Sequence, residues 1–152
     1  MTTDAAPRSY SIREAAALTG LPASTLRYYE QVGVIAPVSR GASSGHRVYD
    51  EDDLDQLMWV SCLAATGMSI GDMRVYMDNN RLGAEAAADQ QRLLEEQQVR
   101  LAAEAEALVL RQRYVDVKIA YWQAVREGDA RSQQISRSAR ELADELRAVT
   151  HD

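Results

Sequence analysis

Arg27, Tyr28, Arg40, His46 and Arg47 place three guanidinium forks, a phenol and an imidazole in a stretch that holds almost no acids. Between Arg8 and Tyr49 the chain carries five arginines and two glutamates, and acids return only at Asp50-Glu51-Asp52-Asp53. A guanidinium fork matches two phosphate oxygens or the edge of a guanine, and the hydroxyls of Ser24 and Thr25 are donors that phosphates accept. The 152-residue chain as a whole has 17 basic and 23 acidic residues and a formal charge of −6, which argues against indiscriminate polyanion binding by its whole surface. Local sign decides here, and it points to contact with duplex DNA by the first third of the chain.

Two helices and a hairpin are needed to position these groups. Ser11 can cap a first helix carrying Ile12, Ala15, Ala16 and Leu18, and Gly20 can end it in a left-handed conformation. Pro22, at a first-turn position, starts a second helix that runs to about Gln31. Leu26 and Tyr29 share one face of it, with Val32 and Ile35 extending the apolar packing, so Ser24, Thr25, Arg27 and Tyr28 are left to point outward. Two short helices joined by a tight glycine turn form the unit that sets its second helix in a major groove, although an ordinary helical pair with a polar face has the same pattern. Gly33 closes the second helix. Val34-Ile35 and Val48-Tyr49 are expected as short strands enclosing Ala36 to Arg47, with Gly41 and Gly45 at the turn and Arg40, His46 and Arg47 on the loop.

The elements behind this head are helical. Asp50 or Asp52 can cap a third helix with a Leu57, Val60, Ala64 stripe, in which Trp59 reads as a packing or interdomain residue. Ser69 and Asp72 have capping-box spacing at the start of a fourth, whose apolar side is Met73, Tyr76 and Met77. From Ala84 to about Val125 there is neither proline nor glycine, and Leu94, Leu101, Leu108, Val115 and Trp122 recur every seven residues. The companion line is Gln98, Ala105, Gln112 and Ile119, and its weak middle favours an antiparallel pair in which small Ala105 faces a larger residue. A homodimer is expected through Leu94, Leu101, Ala105, Leu108, Val115 and Ile119, and it would match an inverted repeat in double-stranded DNA. Gly128-Asp129 breaks the helix. Ser132 to Val149, with apolar Ile135, Leu142, Leu146 and Val149, could cover the dimer helix or an effector site, or form a tail. The expected organisation is mainly α, with a DNA-binding head at 8–82, a dimerisation helix at 84–126 and a short helical segment at 130–150.

The chain resembles the MerR family of dimeric transcription regulators. The resemblance rests on Tyr10-Ser11-Ile12, the run Thr25-Leu26-Arg27-Tyr28-Tyr29-Glu30, Gly33-Val34-Ile35, Gly45-His46-Arg47-Val48-Tyr49-Asp50, and Thr66-Gly67-Met68-Ser69-Ile70 with the long helix. It implies a winged helix-turn-helix head and a long antiparallel coiled-coil helix. Arg27 and Tyr28 would then contact DNA, and Arg47 and Tyr49 would support the wing, which adds Tyr49 to the DNA-binding set. It also implies a dimer that untwists and bends an overlong promoter spacer so that RNA polymerase can engage both promoter elements.

The chain lacks the cysteines that metal-sensing members carry near the ends of the dimer helix, and His46 and His151 stand apart from any ligand cluster, so no metal or cofactor is expected. Cys62, in Val60-Ser61-Cys62-Leu63, resembles the lone cysteine of a thiol- and aldehyde-responsive subgroup linked to stress responses. As a thiolate it could add to an electrophilic carbon or be oxidised, or it could be a small buried hydrophobe. A noncovalent organic effector near Trp122 and the C-terminal segment is the alternative. An enzyme is the rival class, but there is no phosphate loop, metal-ligand cluster or nucleophile–base pair. No stretch of 18 apolar residues suggests a membrane span, and a lone cysteine forms no internal disulfide, so a bacterial cytoplasmic, nucleoid-associated location is expected.

Overall fold

In the first turn of a helix, unpaired backbone N–H groups must find partners, and at three helix starts the sequence supplies them locally. The computed structural model describes residues 8–150, so His151 lies outside the described residues. Its elements are β1 (Tyr10–Ser11), α1 (Ile12–Thr19), α2 (Ala23–Gln31), β2 (Ser39–Arg40), β3 (Arg47–Tyr49), α3 (Glu51–Ala65), α4 (Ile70–Leu82), α5 (Ala87–Glu127) and α6 (Ser132–Thr150). Ser11 and Glu14 cap α1 reciprocally: the Glu14 amide donates to Ser11 Oγ (3.3 Å) and the Ser11 amide to Glu14 Oε2 (2.8 Å). The Ser11 backbone N–H, and after it the Ser11 side chain, hold the Glu14 carboxyl below the ordinary glutamate range. Asp50 and Asp53 form the same box at α3, and the Asp72 amide donates to Ser69 Oγ at α4.

The chain falls into two compact units, one ending at Glu95 and the other beginning at Glu96. The core of the first gathers Leu26 and Tyr29 from α2, Val34 and Ile35 after it, Tyr49 from β3, Leu57 and Val60 from α3, and Met73 and Met77 from α4. Leu26 and Tyr29 are therefore buried, as their spacing predicts. Trp59 is instead half-exposed on α3 and takes no part in this core. Asn79 Nδ2 donates to Gln90 Oε1 (3.2 Å) and Gln90 Nε2 to the Tyr76 carbonyl (3.1 Å), tying α4 to the first turns of α5.

The wing differs from the expected hairpin. Its strands are β2 and β3, and β3 lies in the middle of an antiparallel sheet with β1 on its other edge, in register Tyr10↔Tyr49 and Ser39↔Val48. Val34 and Ile35 form no strand. Gly33, at a left-handed φ of 76°, reverses the chain so that the Val34 and Ile35 amides donate to the Tyr29 carbonyl (2.9 and 3.3 Å). Both side chains go into the core, and Pro37 lacks the N–H a ladder would need there. Pro22 likewise stands at the cap of α2 and not within its first turn, its carbonyl accepting from the Thr25 and Leu26 amides.

In the second unit, α5 carries two apolar lines. Leu101, Leu108, Val115 and Trp122 are exposed, as is Leu94 on the same line before them. One residue earlier in the last three repeats, about 100° around the helix, Ala107, Tyr114 and Tyr121 are buried or half-buried, together with Leu110, Val117 and Ala124. Gly128 (φ 68°) ends α5, its amide donating to the Val125 carbonyl (3.2 Å) and that of Asp129 to the Ala124 carbonyl (2.9 Å). The chain then doubles back. The start of α6 lies beside Ala120 and Ala124, and its last turn beside Leu101 to Leu108. Ile135, Ala139, Leu142 and Leu146 are its covered positions.

Tyr49 is the largest fully buried side chain among the described residues, with 0% exposure, and its hydroxyl has no hydrogen-bond partner among them. Burial pushes its phenol pKa up. A buried hydroxyl without a partner is a net penalty that the ring's packing has to outweigh. Replacing Tyr49 with Phe keeps the ring and removes that penalty, so the variant should match the parent or gain about 1 kcal/mol in urea unfolding. A loss of more than about 1 kcal/mol would mean that the hydroxyl has a partner in solution.

Candidate nucleic-acid interface

A nine-residue helix has no stability of its own in water, so α2 stays helical only while it buries a face. Leu26 and Tyr29 are that face. The 100° step between successive residues then turns Arg27 and Tyr28 out, with Ser24 exposed one turn earlier and Thr25 half-buried. The Tyr28 ring leans on Tyr29, centroids 6.3 Å apart, so one aromatic is core and its neighbour is half in solvent. No acid pairs with Arg27 among the described residues.

On the wing, Arg40 and His46 are exposed. The turn between the strands is held by the Gly41 amide on the His46 carbonyl and the Gly45 amide on the Gly41 carbonyl, both at 2.9 Å. Arg40 Nη1 reaches the Gly45 carbonyl at 3.4 Å, a long contact that leaves most of its donors free. Gly45 adopts a φ of 66°, and Gly41 could not carry a Cβ without meeting Ser44 Oγ at 2.7 Å. The glycines thus keep the tip narrow.

Two of the expected contact residues are less accessible than most of the others. Tyr49 is wholly buried and cannot touch DNA, because the alternation of β3 that leaves Val48 half-buried turns Tyr49 into the core. Arg47 is half-buried, and its Nε donates to Glu30 Oε2 at 3.0 Å. It joins the end of α2 to β3 through this one donor, and its other N–H groups are not engaged by the pair. The remaining set, Ser24, Thr25, Arg27, Tyr28, Arg40 and His46, belongs to one unit of the fold. Arg13 on α1 is also exposed.

The other expected sites are on α3 and α5. Cys62 is exposed on α3. Trp122 is 62% exposed and meets Tyr121 edge-on at 5.2 Å, and Lys118 Nζ lies 5.4 Å from the Tyr121 ring centre. Tyr114, Lys118, Ile119, Trp122 and Arg126 line an open groove on α5. Leu94, Leu101, Ala105, Leu108, Val115 and Ile119 are all exposed. Among the described residues, no three His, Cys, Asp or Glu side chains are grouped to hold a metal ion.

Residues 10–80 match the MerR HTH family of regulatory proteins, a span that contains the whole exposed set. An uncharacterized HTH-type transcriptional regulator of Haemophilus influenzae is 30% identical over 118 residues, taking in 76% of this chain and 84% of that protein. The HTH-type transcriptional regulator AdhR of Bacillus subtilis is 47% identical over 60 residues, 40% of this chain and 42% of AdhR. The chain spans about half the length of AdhR and of another curated Bacillus subtilis relative. Among solved structures, HiNmlR, a MerR family regulator lacking the sensor domain and bound to promoter DNA, superposes with a TM-score of 0.65 at 26% identity. The match covers 84% of this chain and 96% of that one.

The Glu30–Arg47 pair is the one ion pair that bridges α2 and the wing among the described residues. Glu30→Gln keeps the shape and removes the charge, so unfolding stability should fall by about 1 kcal/mol. Amide exchange should quicken at Arg47 to Tyr49 more than in α4. Equal protection in both places would show that the pair does not hold the wing.

Proposed function

The chain belongs to the MerR family of helix-turn-helix regulators, and from that premise we propose that it binds promoter DNA as a homodimer and regulates transcription. The enzyme alternative gives way to the family, three of whose members aligned with this chain are named as HTH-type transcriptional regulators. The observation that carries the reading is the division of α2, which buries Leu26 and Tyr29 and offers Ser24, Arg27 and Tyr28 to solvent. A wing with exposed Arg40 and His46 accompanies it. Support also comes from HiNmlR, which is bound to promoter DNA in its crystal structure.

The proposed complex follows from these groups. α2 enters the major groove, where Arg27 meets a base edge or phosphate and Ser24, Thr25 and Tyr28 meet the backbone. The wing lays Arg40 and His46 along the neighbouring phosphates. A second copy, joined along the Leu94–Trp122 line of α5, repeats these contacts on an inverted repeat. Two heads fixed to one dimer can exchange contact energy for deformation of the spacer between them, on the order of 1–6 kcal/mol for a bent site. In the proposed activated state this lets RNA polymerase engage both promoter elements. No helix among the described residues is long and apolar enough to cross a membrane, and the proposed place of work is the nucleoid.

For the signal, the proposal is electrophilic modification of Cys62. Its exposure on α3 supports this over the role of a buried hydrophobe. The thiolate would add to an aldehyde carbon while the carbonyl oxygen takes a proton, giving a hemithioacetal whose bulk biases the head. A second reading has a noncovalent aromatic ligand stacking on Trp122, favoured by that residue's exposure in the open groove with Lys118.

Genomic footprinting would recover the site, and binding by the Arg27→Ala variant across a salt series tests the assigned contact. Loss of a bidentate base contact should relax discrimination by about 1–3 kcal/mol, whereas loss of a phosphate contact should weaken all sequences alike and lower the salt slope by about one. Unchanged affinity in the folded variant would remove Arg27 from the interface. For Cys62, intact-protein mass and promoter transcription are followed together after aldehyde treatment. The parent should gain the adduct and respond, and Cys62→Ser should do neither. A normal response from Cys62→Ser would transfer the sensor to the Trp122 groove.

A further inference from the structure

The exposed line of α5 has a centre. Leu94, Leu101, Leu108, Val115 and Trp122 are spaced evenly about Leu108. The charges on the helix are also divided about that point. Residues 87–107 carry Asp89, Glu95, Glu96, Glu104 and Glu106 against Arg92 and Arg100, and residues 108–127 carry Arg111, Arg113, Lys118 and Arg126 against Asp116 and Glu127. Two copies laid antiparallel bring an acidic half onto a basic half, which a parallel pair would not do. With Leu108 on the two-fold axis, Arg100 falls opposite the partner's Asp116, Leu101 opposite the partner's Val115, and Glu104 next to the partner's Arg111.

α6 reaches this centre. Ile135, Ala139, Leu142, Leu146 and Val149 follow one another at steps of four and three, a single face of the helix. The first four are buried or half-buried against α5, yet Val149 is 49% exposed. Cover fails there because the last turn overhangs an open groove. Leu101, Glu104, Ala105, Leu108, Ala148 and Val149 line it. Three of those six residues, Leu101, Ala105 and Leu108, belong to the proposed dimer line itself.

We propose that the last turn of α6 is part of the dimer interface, seated beside the two-fold axis where its groove receives the partner's α5 at Arg111 to Val115. The inference rests on the dimer of the proposed function and adds a second helix from each chain to it. The partner's Val115 brings an apolar side chain to Leu101, and the partner's Arg111 meets Glu104 on the groove wall. The symmetry repeats each contact twice, so a single substitution acts two times per dimer.

Sedimentation across a dilution series tests this with the full chain. Val149→Asp puts a charge in the groove, and Val99→Asp makes the same change at an exposed position of α5 away from both apolar lines. The parent is expected to be a dimer, Val149→Asp to dissociate at a concentration at least tenfold higher, and Val99→Asp to match the parent. Val149→Ala, too mild to unfold an exposed last turn, should shift the midpoint severalfold in the same direction. A parent that is monomeric at every concentration overturns the dimer and this inference with it. A dimeric parent with Val149 variants that assemble like Val99→Asp overturns only the role of α6.

Discussion

No element of the head can stand alone. α1 and α2 are eight and nine residues long and the strands two or three, all below the length at which helices or hairpins persist in water. They exist because Leu26, Tyr29, Val34, Ile35 and Tyr49 are removed from water together with Leu57 and Val60 of α3. This shared burial fixes the direction of every exposed group in the head. Arg27 and Tyr28 point outward because Leu26 and Tyr29 point inward on the same turn. Deep mutations should therefore act on recognition as strongly as surface ones do, by a different route.

The electrostatics of the head follow the same economy. The stretch from Arg8 to Tyr49 has two acids, and both have internal tasks. Glu14 closes the capping box of α1, and Glu30 holds Arg47. Neither is left to oppose a phosphate, so the exposed cations Arg13, Arg27 and Arg40 meet little competition nearby. The rest of the chain has 12 basic and 21 acidic residues, a charge of −9 against the +3 of this stretch, which discourages binding to nucleic acid by any other surface.

Much of this was legible in the residues. Capping pairs announce helix starts because the hydrogen bonds are local, and Ser11–Glu14, Asp50–Asp53 and Ser69–Asp72 behave accordingly. Glycines at positive φ mark the stops at Gly20, Gly33 and Gly128. The wing was harder. Two-residue strands carry no periodicity, so β1 gave no signal, and Val34-Ile35 looked like a strand although its place is in the core. Tyr49 enters the DNA-binding set only through the family resemblance, as a support of the wing, and its burial shows that it faces inward. On α5, one seven-residue repeat was visible. The second line, one residue earlier, was hidden because Ala107, Tyr114 and Tyr121 are too mixed to stand out without α6 against them.

Those two adjacent lines place a limit on how this arm can change over evolutionary time. Removing one residue between Leu101 and Ala107 would turn everything after it by about 100°. Leu108, Val115 and Trp122 would then move to the side that α6 covers, and Val109, Asp116 and Gln123 would take the exposed side. An added residue is equally disruptive, since it would present Ala107, Tyr114 and Tyr121 in their place. A change of seven residues brings both lines back to within about 20° of their positions. Among descendants of this sequence, the length of α5 should therefore vary in whole heptads, while the loops of the wing and the turn at Gly128 are free to drift one residue at a time.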